Sequence, residues 1–152
     1  MGIRKTDFGN AESILRAKGL SDNLGSLLDA IGNGWDQGRK GLSFQKEVLA
    51  KHGWQSEKLI GIPARRFAYD GFKNGAAIEI EWNQSEKVLA DLLKLQYGFR
   101  SGMIDVGIIV NRGDRSKHSP IPESQSGGEK EVDEMRGIIT IPVLLVVFYR
   151  EA

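Results

Sequence analysis

Apolar residues recur at helical period through the first third of this chain, then gather into short strand-length runs. Leu24, Leu27, Leu28 and Ile31 fall at the i, i+3, i+4, i+7 spacing of one helix face. Ahead of them, Asn10 is placed to cap a short helix that carries Ile14 and Leu15 and stops at Gly19. The first forty residues therefore predict helices. A glycine-rich loop over 32–38 follows, in which Trp35 is either a packing plug or an exposed contact. Ser43 is placed to cap a third helix, with Phe44, Val48 and Leu49 on one face and an end near Gly53.

Three strands are predicted next, over about 54–62, 65–70 and 76–82. Pro63 separates the first two, and Asn74-Gly75 is the dipeptide of a tight reversal between the second and third. Asn83 and Glu86 have capping-box spacing for a helix through Val88, Leu89, Leu92, Leu93 and Leu95 to Gly98. Met103 to Val110 is almost wholly apolar, as in a strand covered on both faces. Strand, helix and strand in that order predict a crossover joining parallel strands. Residues 112–130 predict a long loop and 129–136 a short helix. Ile138 to Tyr149 predicts a last buried strand with Pro142 near its beginning. The whole predicts an α/β fold with a mixed sheet flanked by helices, one domain over 1–152. It divides into a helical part over 1–41, a helix, three-strand, helix, strand core over about 42–110, and a loop with a final strand over 111–152.

Composition narrows the function without choosing it. The 152 residues are enough for one domain with a real core, and 40% hydrophobic with 27% charged residues is ordinary for a globular chain. Cysteine is absent, which excludes disulfides, thiolate zinc sites and a cysteine nucleophile. No apolar run is long enough to span a bilayer and MGIRKTDFGN lacks a secretory signal's apolar stretch, so a cytoplasmic protein without membrane contact is expected. A net charge of +1 neither announces nor excludes a nucleic-acid binder, because acidic ligands offset a basic surface in the count.

The chemistry-bearing segment runs from Tyr69 to Asn83. Alternation along a strand puts Glu79 and Glu81 on one side and Ile78, Ile80 and Trp82 on the other. A hairpin at Asn74-Gly75 would bring Asp70 on the neighbouring strand toward Glu79. Three converging carboxylates repel unless a cation lies among them, and an all-oxygen set suits Mg²⁺. Alternation alone favours a strand whose glutamates merely face water, and Asp70 beside Gly71 fits a turn equally well. His52 and His118 are isolated, Gly127-Gly128 is too short to cradle phosphate, and no P-loop occurs. Asp91 and Lys94 have the spacing of a local pair on their helix, and Asp105 in its apolar strand needs a partner or a place at the sheet end.

The stretch Ile78-Glu79-Ile80-Glu81-Trp82-Asn83, the helix containing Asp91, and Gly102 to Val110 resemble the BglII and BstYI group of type II restriction endonucleases. The helix ending Leu49-Ala50-Lys51-His52-Gly53-Trp54 is similar to the same group, so the resemblance covers about 42–110. It implies the PD-(D/E)XK nuclease superfamily, whose helix, three-strand meander, helix, strand core agrees with the element order above. It further implies a Mg²⁺-dependent endonuclease acting on double-stranded DNA as a homodimer, with Mn²⁺ as substitute ion. Asp70, Glu79 and Glu81 would be catalytic. Asp70, Glu79 and the Ile80 carbonyl would ligate the metal, with Glu47 as a supporting acid. Glu81 stands where most of the superfamily has lysine, the BamHI-like enzymes glutamate and the BglII-like ones glutamine, which leaves it either general base or further ligand. Arg65, Arg66, Lys73, Asn83, Lys87 and Arg112 are the candidate DNA contacts. The alternative is a nuclease-fold protein that binds DNA or a protein partner without cutting.

Overall fold

The structure is a computed structural model that describes residues 1–59, 68–82, 87–113 and 128–149. Its elements are β1 (Gly2–Phe8), α1 (Ala11–Ala17), α2 (Ser21–Asp36), α3 (Leu42–Lys51), β2 (Gln55–Leu59), β3 (Ala68–Lys73), β4 (Ala76–Ile80), α4 (Val88–Arg100), β5 (Val106–Arg112), α5 (Glu129–Glu134) and β6 (Val143–Tyr149). The strands form one six-stranded mixed sheet in the order β1-β6-β5-β4-β3-β2. β4, β5 and β6 run parallel at its centre, and antiparallel pairs close both sides. The expected mixed α/β fold and the parallel crossover through α4 are both present.

Burial follows this order. Every residue of β4 and β5 is buried, which is why their sequences read as unbroken apolar runs, whereas edge strand β1 alternates with exposed charge. Leu24, Leu27, Leu28 and Ile31 of α2 and Phe44, Val48 and Leu49 of α3 cover one sheet face, packing on Ile78, Ile108, Val146 and Phe148. Val88, Leu92 and Leu95 of α4 with Val132 of α5 cover the other, on Ala77, Ile109, Leu145 and Val147. Two apolar layers thus sandwich the sheet, and each helix contributes one stripe.

Four expectations near the N-terminus are corrected. Residues 2–8 are a strand, not part of a helix, because β1 pairs antiparallel along the whole of β6. Asn10 occupies the cap position of α1 but makes no capping bond; the Asp7 carboxylate accepts from the N–H groups of Ala11 and Glu12 instead. α3 begins at Leu42 from Gly41, without a side-chain cap from Ser43. The predicted loop over 32–38 is largely helix, since α2 continues to Asp36. Gly32 lies against the Phe148 ring and Gly34 against the Phe44 ring, so these glycines serve close packing, not a turn. Trp35 is buried in edge contacts with Trp82 and Phe148, the packing role of the two considered.

Elsewhere the boundaries shift by a few residues. β3 runs on to Lys73, past the expected end at 70, and α4 runs past Gly98 to Arg100. Asn74 and Gly75, with φ of 47° and 75°, form the two-residue reversal between β3 and β4. Pro142 immediately precedes β6, and α5 falls within the predicted 129–136. Asp105 has both of its expected supports: it sits just before β5 and is ion-paired with Lys18. The separator Pro63, the capping box at 83–86 and most of the loop at 112–130 lie outside the described residues.

Candidate active site

β4 is the element that aims the acids. Ala76, Ile78 and Ile80 point into the α2–α3 layer, so Ala77 and Glu79 point toward α4, and Glu81 follows on Glu79's side. On α4, Val88, Asp91, Leu92 and Leu95 occupy one buried stripe at i, i+3, i+4, i+7 spacing, which turns Asp91 toward the sheet. Carboxylate oxygens of Glu79, Glu81 and Asp91 therefore lie within 4.8 Å of one another. Glu79 is 1% and Asp91 3% exposed, which makes this a buried acidic cluster and not a solvated strand face.

Asp70 stands beside this group for a backbone reason. The β3–β4 ladder pairs Gly71 with Ile78 and goes no further toward Ile80. The Ile80 N–H that a further rung would use instead donates to Asp70 Oδ2 at 2.8 Å. Asp70 is thus adjacent to the converging acids without being one of the three whose oxygens come together, and Asp91 takes the third place. Removing the acceptor with Asp70→Ala would strand a part-buried N–H and should cost about 1–3 kcal/mol, whereas Asp70→Asn keeps an acceptor. Urea unfolding of the two variants checks this; equal midpoints would mean that the bond carries no stability.

Charge in the cluster is compressed. Burial, then the Asp70 charge, push the Glu79 carboxyl well above the usual carboxylate range, while Lys94 opposes the shift. Glu81 is also raised, by burial first, against the stabilising charge of Lys87. Asp91 is raised to about 8 by burial and by the facing Glu81 carboxylate, with Asp70 adding to it. Among the described residues no N–H group donates to its buried Oδ2, and its carboxyl faces that of Glu81 at hydrogen-bonding distance. The Lys94 ammonium is 2.8 Å from Glu79 Oε1 and 3.8 Å from Asp91, and it donates to the Ala68 carbonyl at 3.2 Å. Burial pulls Lys94 down, but the facing carboxylates, Glu79 foremost, leave it raised. The Tyr69 hydroxyl donates to the Lys94 carbonyl and fixes this turn of α4; its own pKa is raised by burial and then by Glu79.

The other predicted residues are scattered. The Ile80 carbonyl accepts from Gln45 Nε2 of α3 at 3.3 Å. Gln45, which the sequence did not single out, therefore holds the β4 backbone between Glu79 and Glu81. Glu47 lies on the outer side of α3, paired with Arg39 and Lys51, and these two cations lower its pKa. Lys87 is exposed at the start of α4 and close enough to influence Glu81. Lys73 donates to the Gly53 carbonyl. Arg112 is buried, its guanidinium 4.2 Å from the Trp82 ring centre. Arg65, Arg66 and Asn83 lie outside the described residues. Asp91 carried a legible signal, a charge inside an apolar stripe. Lys94 is indeed near Asp91, at i+3, but its nearer partner is Glu79, fifteen positions away.

This topology finds counterparts among known proteins. The crystal structure of restriction endonuclease BglII complexed with a DNA 16-mer superposes with a TM-score of 0.73 at 17% identity, over 99% of this chain and 78% of that one. Free BglII gives a TM-score of 0.61 at 17% identity, over 99% and 81%. At that identity the likeness establishes the fold. No curated protein matches the chain. The family described as restriction endonuclease BglII/BglIII matches residues 4–148, nearly the full length. This chain is therefore a nuclease that belongs to the BglII/BglIII restriction endonuclease family.

Proposed function

We propose that the protein is a divalent-metal-dependent type II endonuclease that cuts both strands of DNA as a homodimer. The observation that carries this reading is the convergence of the Glu79, Glu81 and Asp91 carboxylates within 4.8 Å of one another, Glu79 and Asp91 almost wholly buried, in a chain of this family. Three carboxylates and backbone oxygen are a hard-ligand set of the kind Mg²⁺ and Mn²⁺ accept. Glu79, Glu81 and Asp91 would hold the ion, with Asp70 on the flank and the Ile80 carbonyl as a candidate backbone ligand. When bound, such an ion supplies Lewis acidity toward water and a phosphoryl oxygen.

The chain's own residues do the rest. Glu81, less buried than Glu79, accepts the proton of the attacking water. Asp70 fixes the backbone of Ile80 and so the spacing of Glu79 and Glu81 along β4. Lys87, with Arg65, Arg66, Lys73 and Asn83 as the other candidates, supplies contacts to the DNA, whereas Arg112, buried against Trp82, supports the sheet end instead. Supercoiled plasmid incubated with Mg²⁺ should be nicked and linearised, and EDTA should stop it. Cutting that survives EDTA, or none with either Mg²⁺ or Mn²⁺, would refute the metal-dependent reading.

Two further properties belong to this proposal. Duplex binding should fall steeply with salt, by about 10³-fold between 50 and 200 mM if six or so phosphates are neutralised. Fluorescence anisotropy across that range checks it, and a flat profile removes the basic surface. Symmetric cutting needs two sites related by a two-fold axis, which a homodimer provides. Leu89, Leu93 and Tyr97 form an exposed stripe on the outer face of α4, the helix whose inner face carries Asp91 and Lys94. We assign that stripe to the second copy. Sedimentation equilibrium should then give twice the chain mass.

A further inference from the structure

We infer that Lys94 is a tethered counter-cation of the carboxylate cluster: it stands in for the divalent ion in the metal-free protein and must give way when the ion enters. The inference rests on the metal-site reading above and adds a role for a residue outside the acid set.

Geometry carries it. The Lys94 ammonium is 2.8 Å from Glu79 Oε1 and 3.8 Å from Asp91 Oδ1, two of the three carboxylates that converge. Both acids are almost wholly buried, and Asp70 adds a further charge beside them. A buried group of this sign is costly without a cation in contact, and among the described residues Lys94 is the cation ion-paired with it. An ion about 2.1 Å from Glu79 Oε1 would lie no more than about 5 Å from an ammonium 2.8 Å from the same oxygen. Two cations that close in a poorly screened site repel strongly. The lysine has an alternative anchor, the Ala68 carbonyl at 3.2 Å, and a flexible four-carbon stem on which to withdraw toward it. Lys94 therefore preserves the cluster before the ion arrives and sets a threshold for its entry.

Mn²⁺ titration by calorimetry, with electron paramagnetic resonance of free Mn²⁺ as a second readout, tests this on the purified full chain without DNA. Lys94→Met removes the charge and keeps an apolar stem of similar length. It is expected to bind Mn²⁺ about tenfold more tightly than the wild type, or beyond. It should also unfold at lower urea in EDTA and recover that loss when Mn²⁺ is added. Lys94→Arg, which keeps the charge, should not gain affinity. If Lys94→Met proves too unstable in EDTA, Lys94→Gln purified with Mn²⁺ and then dialysed replaces it. Unchanged or weaker Mn²⁺ binding in the neutral variants, beside a wild type that binds, would overturn the inference and leave the metal site standing. Absence of Mn²⁺ binding in wild type and variants alike would overturn both.

Discussion

Asp91→Asn is expected to lose DNA cleavage and yet to make the metal-free protein more stable. The two effects have one origin. Partners that merely orient metal ligands cost 10–100-fold in affinity or activity when removed, so loss of a ligand should cost about 10²-fold or more. Stability moves the other way because the folded chain disfavours the Asp91 charge. Burial and the facing Glu81 lift this carboxyl to about 8, whereas in the unfolded chain it titrates near 3.8. Across that interval the folded state keeps a proton that the unfolded state has lost. Stability in EDTA is therefore full below about pH 4, falls as pH rises, and levels off above about 8. Asparagine has no such proton, so the variant should lack this part of the slope and melt higher than the wild type at pH 8. Glu79 and Glu81, shifted in the same direction, keep a residual slope in both proteins. Thermal melts in EDTA at pH 5 and pH 8 read it. A variant that melts lower than the wild type at pH 8 would contradict the electrostatic account.

Glu81→Gln should slow single-turnover cleavage by ~10²–10⁴-fold, the contribution typical of a positioned general base. Glutamine keeps the size and hydrogen bonding of the side chain but neither its basicity nor its charge. DNA affinity should be unchanged, and the rate is compared at saturating Mn²⁺ because losing this proposed ligand also weakens the ion's hold. Glu81→Lys should not cut at all. Its ammonium would enter a cluster that already contains Lys94 and would further exclude the metal. Near-normal rates in Glu81→Gln would remove the general-base role without removing the nuclease.

The contrast between α4 and β1 shows which parts of this protein are legible in its sequence. α4 is amphipathic, so its buried face is written locally, and Asp91 stands out there as the one charge in the apolar stripe. The parallel strands β4 and β5 are equally plain, because burial on both faces leaves little room for polar residues. β1 is obscure because GIRKTDF is a polar edge strand held by pairing with β6, more than 130 residues away. The second half of α2 is hidden by Gly32 and Gly34, whose usual meaning is a break. Only the approach of Phe148 and Phe44 in the fold gives them their use.

At the site, alternation along β4 gave the orientation of Glu79 and Glu81 and the Asn-Gly reversal gave the neighbourhood of Asp70. Which carboxylates converge depends on where the β3–β4 ladder ends and on the rotation of α4 over the sheet. Neither is a local property of sequence. The same holds for Lys94 and Gln45, each of which reaches β4 from another element.

Anomalous diffraction from a crystal grown or soaked in Mn²⁺ tests the central claim most directly. The expected result is a peak bounded by the carboxylates of Glu79, Glu81 and Asp91, with the Lys94 ammonium displaced from Glu79. No peak at that position in a well-ordered crystal, or a peak elsewhere on the molecule, would contradict the assignment of this cluster as the metal centre.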